Sequence, residues 1–217
     1  MPDNLFPACY FPPIPWYVAA LRQKTIYLDG ALPYRKQQLS SRTHIKVANR
    51  TLPLTLPVER RDRHHPLIEK KVSFAERWPH QHWMSLRSAY ANSPYFEFYG
   101  DELATLLQQR HAYLHQWLTA STRWGLASLG WEGKVEWVNK LPKEELSATS
   151  DYRNSFDPTL RDLPSWFVPK PYPQVFEGFT PGLSIIDLIL NLGPEAPSYL
   201  KSTWQKPADG LLEGSND

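Results

Sequence analysis

The chain has 217 residues, 41% of them hydrophobic and 21% charged, with a net charge of +2. That composition excludes a disordered polypeptide, and the length suffices for one substantial core. No apolar run approaches the roughly 20 residues that span a bilayer, and no Lys/Arg-led hydrophobic leader precedes a small-residue cleavage site. The single cysteine, Cys9, has no partner for an internal disulfide, so a reducing, cytoplasmic location is expected.

In chain order, "PDNLFPACY", "IPWYVAALRQ" and "TIYLDG" read as extended segment, short helix and strand, a compact βαβ-like opening. The connecting loop is stiffened by Pro12, Pro13 and Pro15 and carries Tyr10, Trp16 and Tyr17. Aromatics on so rigid a backbone suit stacking on a nucleobase or sugar ring, and equally suit core packing. "HIKVANRTLPLTLPV" (44–58) predicts a hairpin turning at "ANR", with Pro53 and Pro57 confining its second arm to a sheet edge. "LIEKKVSF" (67–74) alternates and is read as another strand.

Helices are predicted near 79–92, opened by Pro79, and near 101–123, where Leu103, Leu106, Leu107, Leu114, Trp117 and Leu118 form one apolar stripe. "KVEWV" can be a strand, and 141–173 reads as a long loop rich in Pro, Ser, Asp and Arg. "LSIIDLILNLG" predicts a buried helix ending at Gly193, with Pro194 opening another through Tyr199. The expectation is a mixed α/β (α+β) fold, one domain over 1–205 and a flexible tail over 206–217. Its sheet would come from the N-terminal third (5–10, 25–29, 44–48, 51–58 and 67–74), flanked by helices.

Charge is uneven along the chain. Residues 35–77 hold 11 Lys/Arg against 4 Asp/Glu, a local +7 that leaves −5 for the remainder. Such a stretch can face phosphate or a nucleotide, or be a solvated sheet face. No nucleic-acid-binding motif falls on it, so nucleic acid is not an expected partner.

Gly-rich phosphate loops, a G-x-S-x-G elbow, H-E-x-x-H and Cys pairs are all missing from the sequence. His111 and His115 have chelating spacing on a predicted helix, but no third ligand joins them; they are read as an ordinary helix face, and no metal is expected. His80 and His82 diverge at i, i+2. Cys9 reads as a small buried thiol rather than a nucleophile. Asp29, at the end of a predicted strand, could orient a hydroxyl or a base, or simply form the turn before Gly30.

The ordered motifs "YLDGALPYRKQQLSSRTHIK", "LPLTLPV", "HWMSLRSAYANSPYFEFYGDEL" and "PYPQVFEGFTPGLSIIDLILNLGPEA", after an aromatic Y-F-P loop followed by W-Y, resemble the WbqC family. The form is the one associated with Bacteroidetes-type bacteria, and the likeness runs from about Leu5 to Tyr199. It implies a cytoplasmic bacterial protein whose relatives occur in O-antigen and other surface-polysaccharide gene clusters, and it brings no established reaction. It carries over Tyr10, Pro12, Tyr17, Asp29, Tyr34, Lys36, Arg42, His82, Trp83 and Tyr90. Towards the end it adds Tyr172, Gln174, Ser184, Asp187 and Asn191. Many relatives have Gln-Pro-x-Tyr where this chain has Ala8 and Cys9 before Tyr10, and Asn-Arg-Asn where it has Ser41-Arg42-Thr43.

Asp29 and His82 are the acid/base candidates near the basic stretch. Arg35, Lys36, Arg42 and Lys46 are the expected anion contacts, while Tyr10, Tyr17, Tyr34, Tyr90, Tyr172 and Gln174 complete the binding set. Tyr10, Asp29, Tyr34, Arg42 and His82 are expected to converge on one pocket. Two functions fit: a transferase-like enzyme of surface-glycan assembly acting on a nucleotide- or lipid-linked sugar, or a ligand-binding or assembly protein without turnover. No cofactor is expected beyond a nucleotide or nucleotide sugar as substrate, the partner is a phosphorylated or sugar small molecule, and oligomeric state stays open.

Overall fold

The computed structural model describes residues 3–59, 65–139 and 150–206. In chain order its elements are β1 (Asn4–Leu5), α1 (Ile14–Ala20), β2 (Thr25–Asp29), β3 (Arg42–Val47), β4 (Arg50–Thr55) and α2 (Trp78–Tyr90). They continue with α3 (Phe96–Gln108), α4 (Leu114–Ser128), β5 (Lys134–Val138), β6 (Ser150–Asp151), α5 (Ile185–Leu192) and α6 (Ala196–Ser202). The fold is mixed α/β. Among the described residues, no helix is long and apolar enough to cross a membrane.

The βαβ opening forms as predicted. β1 pairs in parallel with β6 and β2 in parallel with β5, and Phe6 stitches the two pairs together. Its N–H donates to the Tyr27 carbonyl at 2.8 Å, and its carbonyl accepts from the Asp29 N–H at 3.2 Å. The parallel strands therefore run in the order β6, β1, β2, β5. α1 makes the crossover and is buried at every residue, as a helix apolar all round must be. A continuous cluster of buried side chains extends from Phe6 to Leu200.

The hairpin of β3 and β4 forms with Ala48 and Asn49 as its turn, in register from Arg42↔Thr55 to Val47↔Arg50. It does not join the parallel strands, contrary to the single sheet expected. One cause is Pro53, which faces His44 and has no N–H to offer. On the other edge, the outward-facing His44 carbonyl accepts from the Ser184 N–H at 2.9 Å, tying the hairpin to the start of α5.

Three more expectations need correction. Residues 67–74 are not a strand: Leu67–Glu69 make one 3₁₀ turn, followed by isolated bridges Val58↔Val72 and Lys71↔Tyr113. Those contacts also break the helix expected over 101–123. The Leu114 N–H donates to the Lys70 carbonyl at 2.7 Å and the Val72 N–H to the Ala112 carbonyl at 2.9 Å. Residues 109–113 are thus held out of helix against 70–72, and the apolar stripe is shared between α3 and α4. His111 then precedes α4 while His115 lies within it. Finally, β6 lies inside the stretch read as loop, whose residues 141–149 are outside the described residues.

The C-terminal helices follow the sequence closely. Ser184 caps α5 through its side chain, which accepts from the Ile186 N–H at 3.3 Å. Gly193 ends it at φ +49°, where a Cβ would run into the Tyr95 ring. The expected tail lies outside the described residues except for Lys206.

Candidate functional site

The Pro-rich loop leaves the C-terminal end of β1, where ligands commonly bind in parallel sheets. Its aromatics face inward. Tyr10, Trp16 and Tyr17 are all essentially unexposed, so the expectation that this loop displays rings to a ligand is corrected: the rings fill the core. The Tyr17 hydroxyl reaches the Thr122 carbonyl at 3.3 Å, and Trp16 donates to the Pro7 carbonyl at 3.1 Å. Tyr17 is therefore a packing residue. The loop also holds Phe11 at φ +41°, a conformation that costs a β-carbon-bearing residue about 1–3 kcal/mol. Hydroxyls from three elements hold it there. The Phe11 N–H donates to Ser121 Oγ at 3.1 Å, and its carbonyl accepts from Thr43 Oγ1 at 2.9 Å and Ser184 Oγ at 3.3 Å.

What this rigidity positions is Tyr10. Its hydroxyl meets His82 Nδ1 at 3.1 Å, and Trp78, one turn earlier on α2, packs edge-on against the imidazole at 5.1 Å. Burial lowers the His82 pKa to about 4, although a hydrogen bond to the Thr55 backbone pulls the other way. Burial also raises the Tyr10 pKa. The imidazole is thus neutral at pH 7, with the phenol as donor to Nδ1.

His82 is 6% exposed and forms part of the wall of a cleft of about 320 Å³ between α2 and β4. Gln81 and Ser85 of α2 and Thr55 of β4 supply polar lining, and Trp78, Leu52 and Leu54 apolar wall. Half-buried Arg42 stands behind Thr55, its Nε donating to Thr55 Oγ1 at 3.3 Å. Tyr34 is one step further back, its hydroxyl on Ser41 Oγ at 3.3 Å. The hydroxyls of Ser41 and Thr43 are thus both engaged, on Tyr34 and Phe11.

Asp29 does not join this group. It is 2% exposed; Oδ2 accepts from Arg153 Nη1 at 2.9 Å and Oδ1 from the Ala31 N–H at 2.9 Å. Arg153 also clasps Asp151 through Nε and Nη2, which holds the Asp151 carboxyl below its ordinary pKa. Asp29 locks the ends of β2 and β6 together, so its proposed acid/base role is replaced by a structural one.

The basic stretch does not act as one anion patch either. Arg35 and Lys36 are exposed, whereas Lys46 is 5% exposed and turned inward; Arg60, Arg61 and Arg63 lie outside the described residues. The Lys46 ammonium has three donors and three acceptors: Gln174 Oε1 at 3.1 Å, the Phe176 carbonyl at 2.9 Å and the Gly178 carbonyl. Gln174 donates to Asp187 Oδ2 at 2.9 Å. Tyr90 donates to Asp187 Oδ1 at 3.0 Å, and Tyr172 donates to Oδ2. Burial pushes the Asp187 carboxyl above the usual range against these three donors.

Four of the residues assigned to binding, Lys46, Tyr90, Tyr172 and half-buried Gln174, therefore assemble around buried Asp187 in a closed knot. The sequence did contain a signal for this. Asp187 is the one charged residue in "IIDLILNL", and a lone acid in an apolar helix needs internal donors.

The uncharacterized protein Rv1507c of Mycobacterium tuberculosis (strain ATCC 25618 / H37Rv) is 29% identical to this chain over 223 residues, covering 87% of this chain and 94% of its own length. No solved structure matches significantly. The model of the WbqC-like protein family matches residues 8–156 and 164–199. That span includes the Pro-rich loop, the hairpin, the His82 helix and the Asp187 knot, and the chain belongs to the WbqC-like protein family.

Proposed function

We propose that this WbqC-family protein is a cytoplasmic transferase of bacterial surface-polysaccharide (O-antigen) biosynthesis, acting on a nucleotide- or lipid-linked sugar with His82 as its acid/base group. One observation carries the reading: a neutral imidazole, fixed at Nδ1 by a buried phenol, in the wall of a polar-lined cleft of about 320 Å³. A general base must be unprotonated, oriented and within reach of the substrate, and His82 meets the first two conditions. As an acceptor hydroxyl attacks the anomeric carbon, its proton passes to Nδ1 as the Tyr10 hydroxyl gives up its bond there, the other ring hydrogen stays on the Thr55 backbone, and the phosphorylated carrier leaves with the bonding electrons.

Incubation with a panel of nucleotide sugars and sugar acceptors, followed by mass spectrometry, tests the reading. Product should form with the parent chain and fall by about 100-fold or more in His82→Gln, the usual scale of general-base catalysis. Unchanged turnover in that variant would sink the assignment.

A second reading, ligand binding without turnover, is favoured by the fate of Asp29, whose ion pair removes the other acid/base candidate. A ligand that raises the melting temperature with no product across the panel would select it.

A further inference from the structure

A second cleft, of about 390 Å³, lies on the opposite side of α2, between that helix and the end of α3. At 100° per residue, Trp78, His82 and Ser85 face one way and Pro79, His80 and Trp83 the other. The two clefts share Glu76, just before the helix begins. Their chemistry differs. The second cleft is walled by Phe74, Trp83 and Leu107 and rimmed by Arg77 and Arg110. Phe74 is 36% exposed. Arg110 is held over it, its guanidinium carbon 5.8 Å from the ring centroid. Among the described residues, neither Arg77 nor Arg110 belongs to an ion pair.

Aromatic walls beside guanidinium groups that carry no ion pair suit a ligand that is a flat ring at one end and an anion at the other. We propose that this cleft binds the nucleoside diphosphate part of the substrate: the base between Phe74 and Trp83, the phosphates at Arg77 and Arg110. Glu76, common to both clefts, accepts from a ribose or sugar hydroxyl. The sugar then reaches past the start of α2 towards His82. This assignment rests on the proposed transferase reading for its purpose, and on the cleft alone for its ligand.

Isothermal titration of the full chain with UDP, ADP, GDP and CDP, and with inorganic pyrophosphate, provides the test. At least one nucleoside diphosphate should bind about tenfold or more tightly than pyrophosphate, because only it can stack. Phe74→Ala and Arg110→Ala, both at exposed positions, should each weaken that binding by about tenfold, and high salt should weaken it further. Failure of all four nucleotides to outbind pyrophosphate overturns the proposal, as does unchanged affinity in both variants. Nucleotide affinity that survives His82→Gln supports the cleft assignment whether or not transfer is lost, so its failure and that of the acid/base reading are separable.

Discussion

Two buried polar groups on this molecule look alike in composition and differ in whether a cleft borders them. Around Asp187, every donor and acceptor meets another inside the protein: Lys46 uses three donors, and the carboxylate takes bonds from Tyr90, Tyr172 and Gln174. Around His82 the imidazole has Tyr10 on one side, the Thr55 backbone on another and a cleft beside it. A closed network stabilises one structure and leaves nothing for a ligand. A polar group held firmly at a cavity wall is what chemistry requires. Both groups contain residues that looked functional in sequence; only one retains access.

Removing a partner from the closed network should have the largest effect. Asp187→Ala leaves Tyr90, Tyr172 and Gln174 without their acceptor, and Lys46 without the nearby charge, at a position that is itself 0% exposed. Breaking a buried charged network in this way costs about 3–5 kcal/mol, read as a lowered denaturant midpoint. A cost below about 1 kcal/mol, on the scale of an exposed pair, would remove the contrast between the two groups.

The sequence made the local pieces legible and hid their closure. The βαβ opening, the hairpin and the C-terminal helices could be read because each has its own periodicity, turn or cap. The break between α3 and α4 could not, because it depends on pairing with Lys70 and Val72, some 40 residues earlier in the chain. Likewise, Lys46 belongs to a run of basic residues, and only the loop from Gln174 to Gly178 shows that it is folded inward. Tyr10 and His82 are both candidate site residues in the sequence, yet their hydrogen bond spans 72 positions, and nothing local encodes such a contact.

Acid should act next, and on the open group. The folded-state pKa of His82, about 4, lies below its ordinary 6.5, so between those values the unfolded chain binds the extra proton. The stability His82 confers by staying neutral is therefore complete above pH 6.5 and lost as pH falls towards 4, by about 3 kcal/mol in the limit. Urea melts across this range should show His82→Gln less sensitive to acid than the parent. Equal slopes for the two would mean that His82 does not titrate as its burial dictates.

The smallest expected effect distinguishes the two groups most finely, because it deletes a phenol hydroxyl from each. Tyr172→Phe removes a donor from the Asp187 carboxylate in a site closed to water, and an unmet buried charge costs about 1–3 kcal/mol or more. Tyr10→Phe removes the donor to His82 Nδ1, but that imidazole borders a cleft from which a water can take the vacant place, at an entropic cost of about 0–2 kcal/mol. The second variant should therefore lose only about 1 kcal/mol, less than the first. It should also lose orientation: with Nδ1 no longer fixed by protein, the acid limb of turnover moves up in pH, since the phenol's donated hydrogen bond favours the neutral ring. Equal stability losses in the two variants would show that the His82 site is as closed as the Asp187 knot, and the cleft would then have no claim to be the place where substrate meets the imidazole.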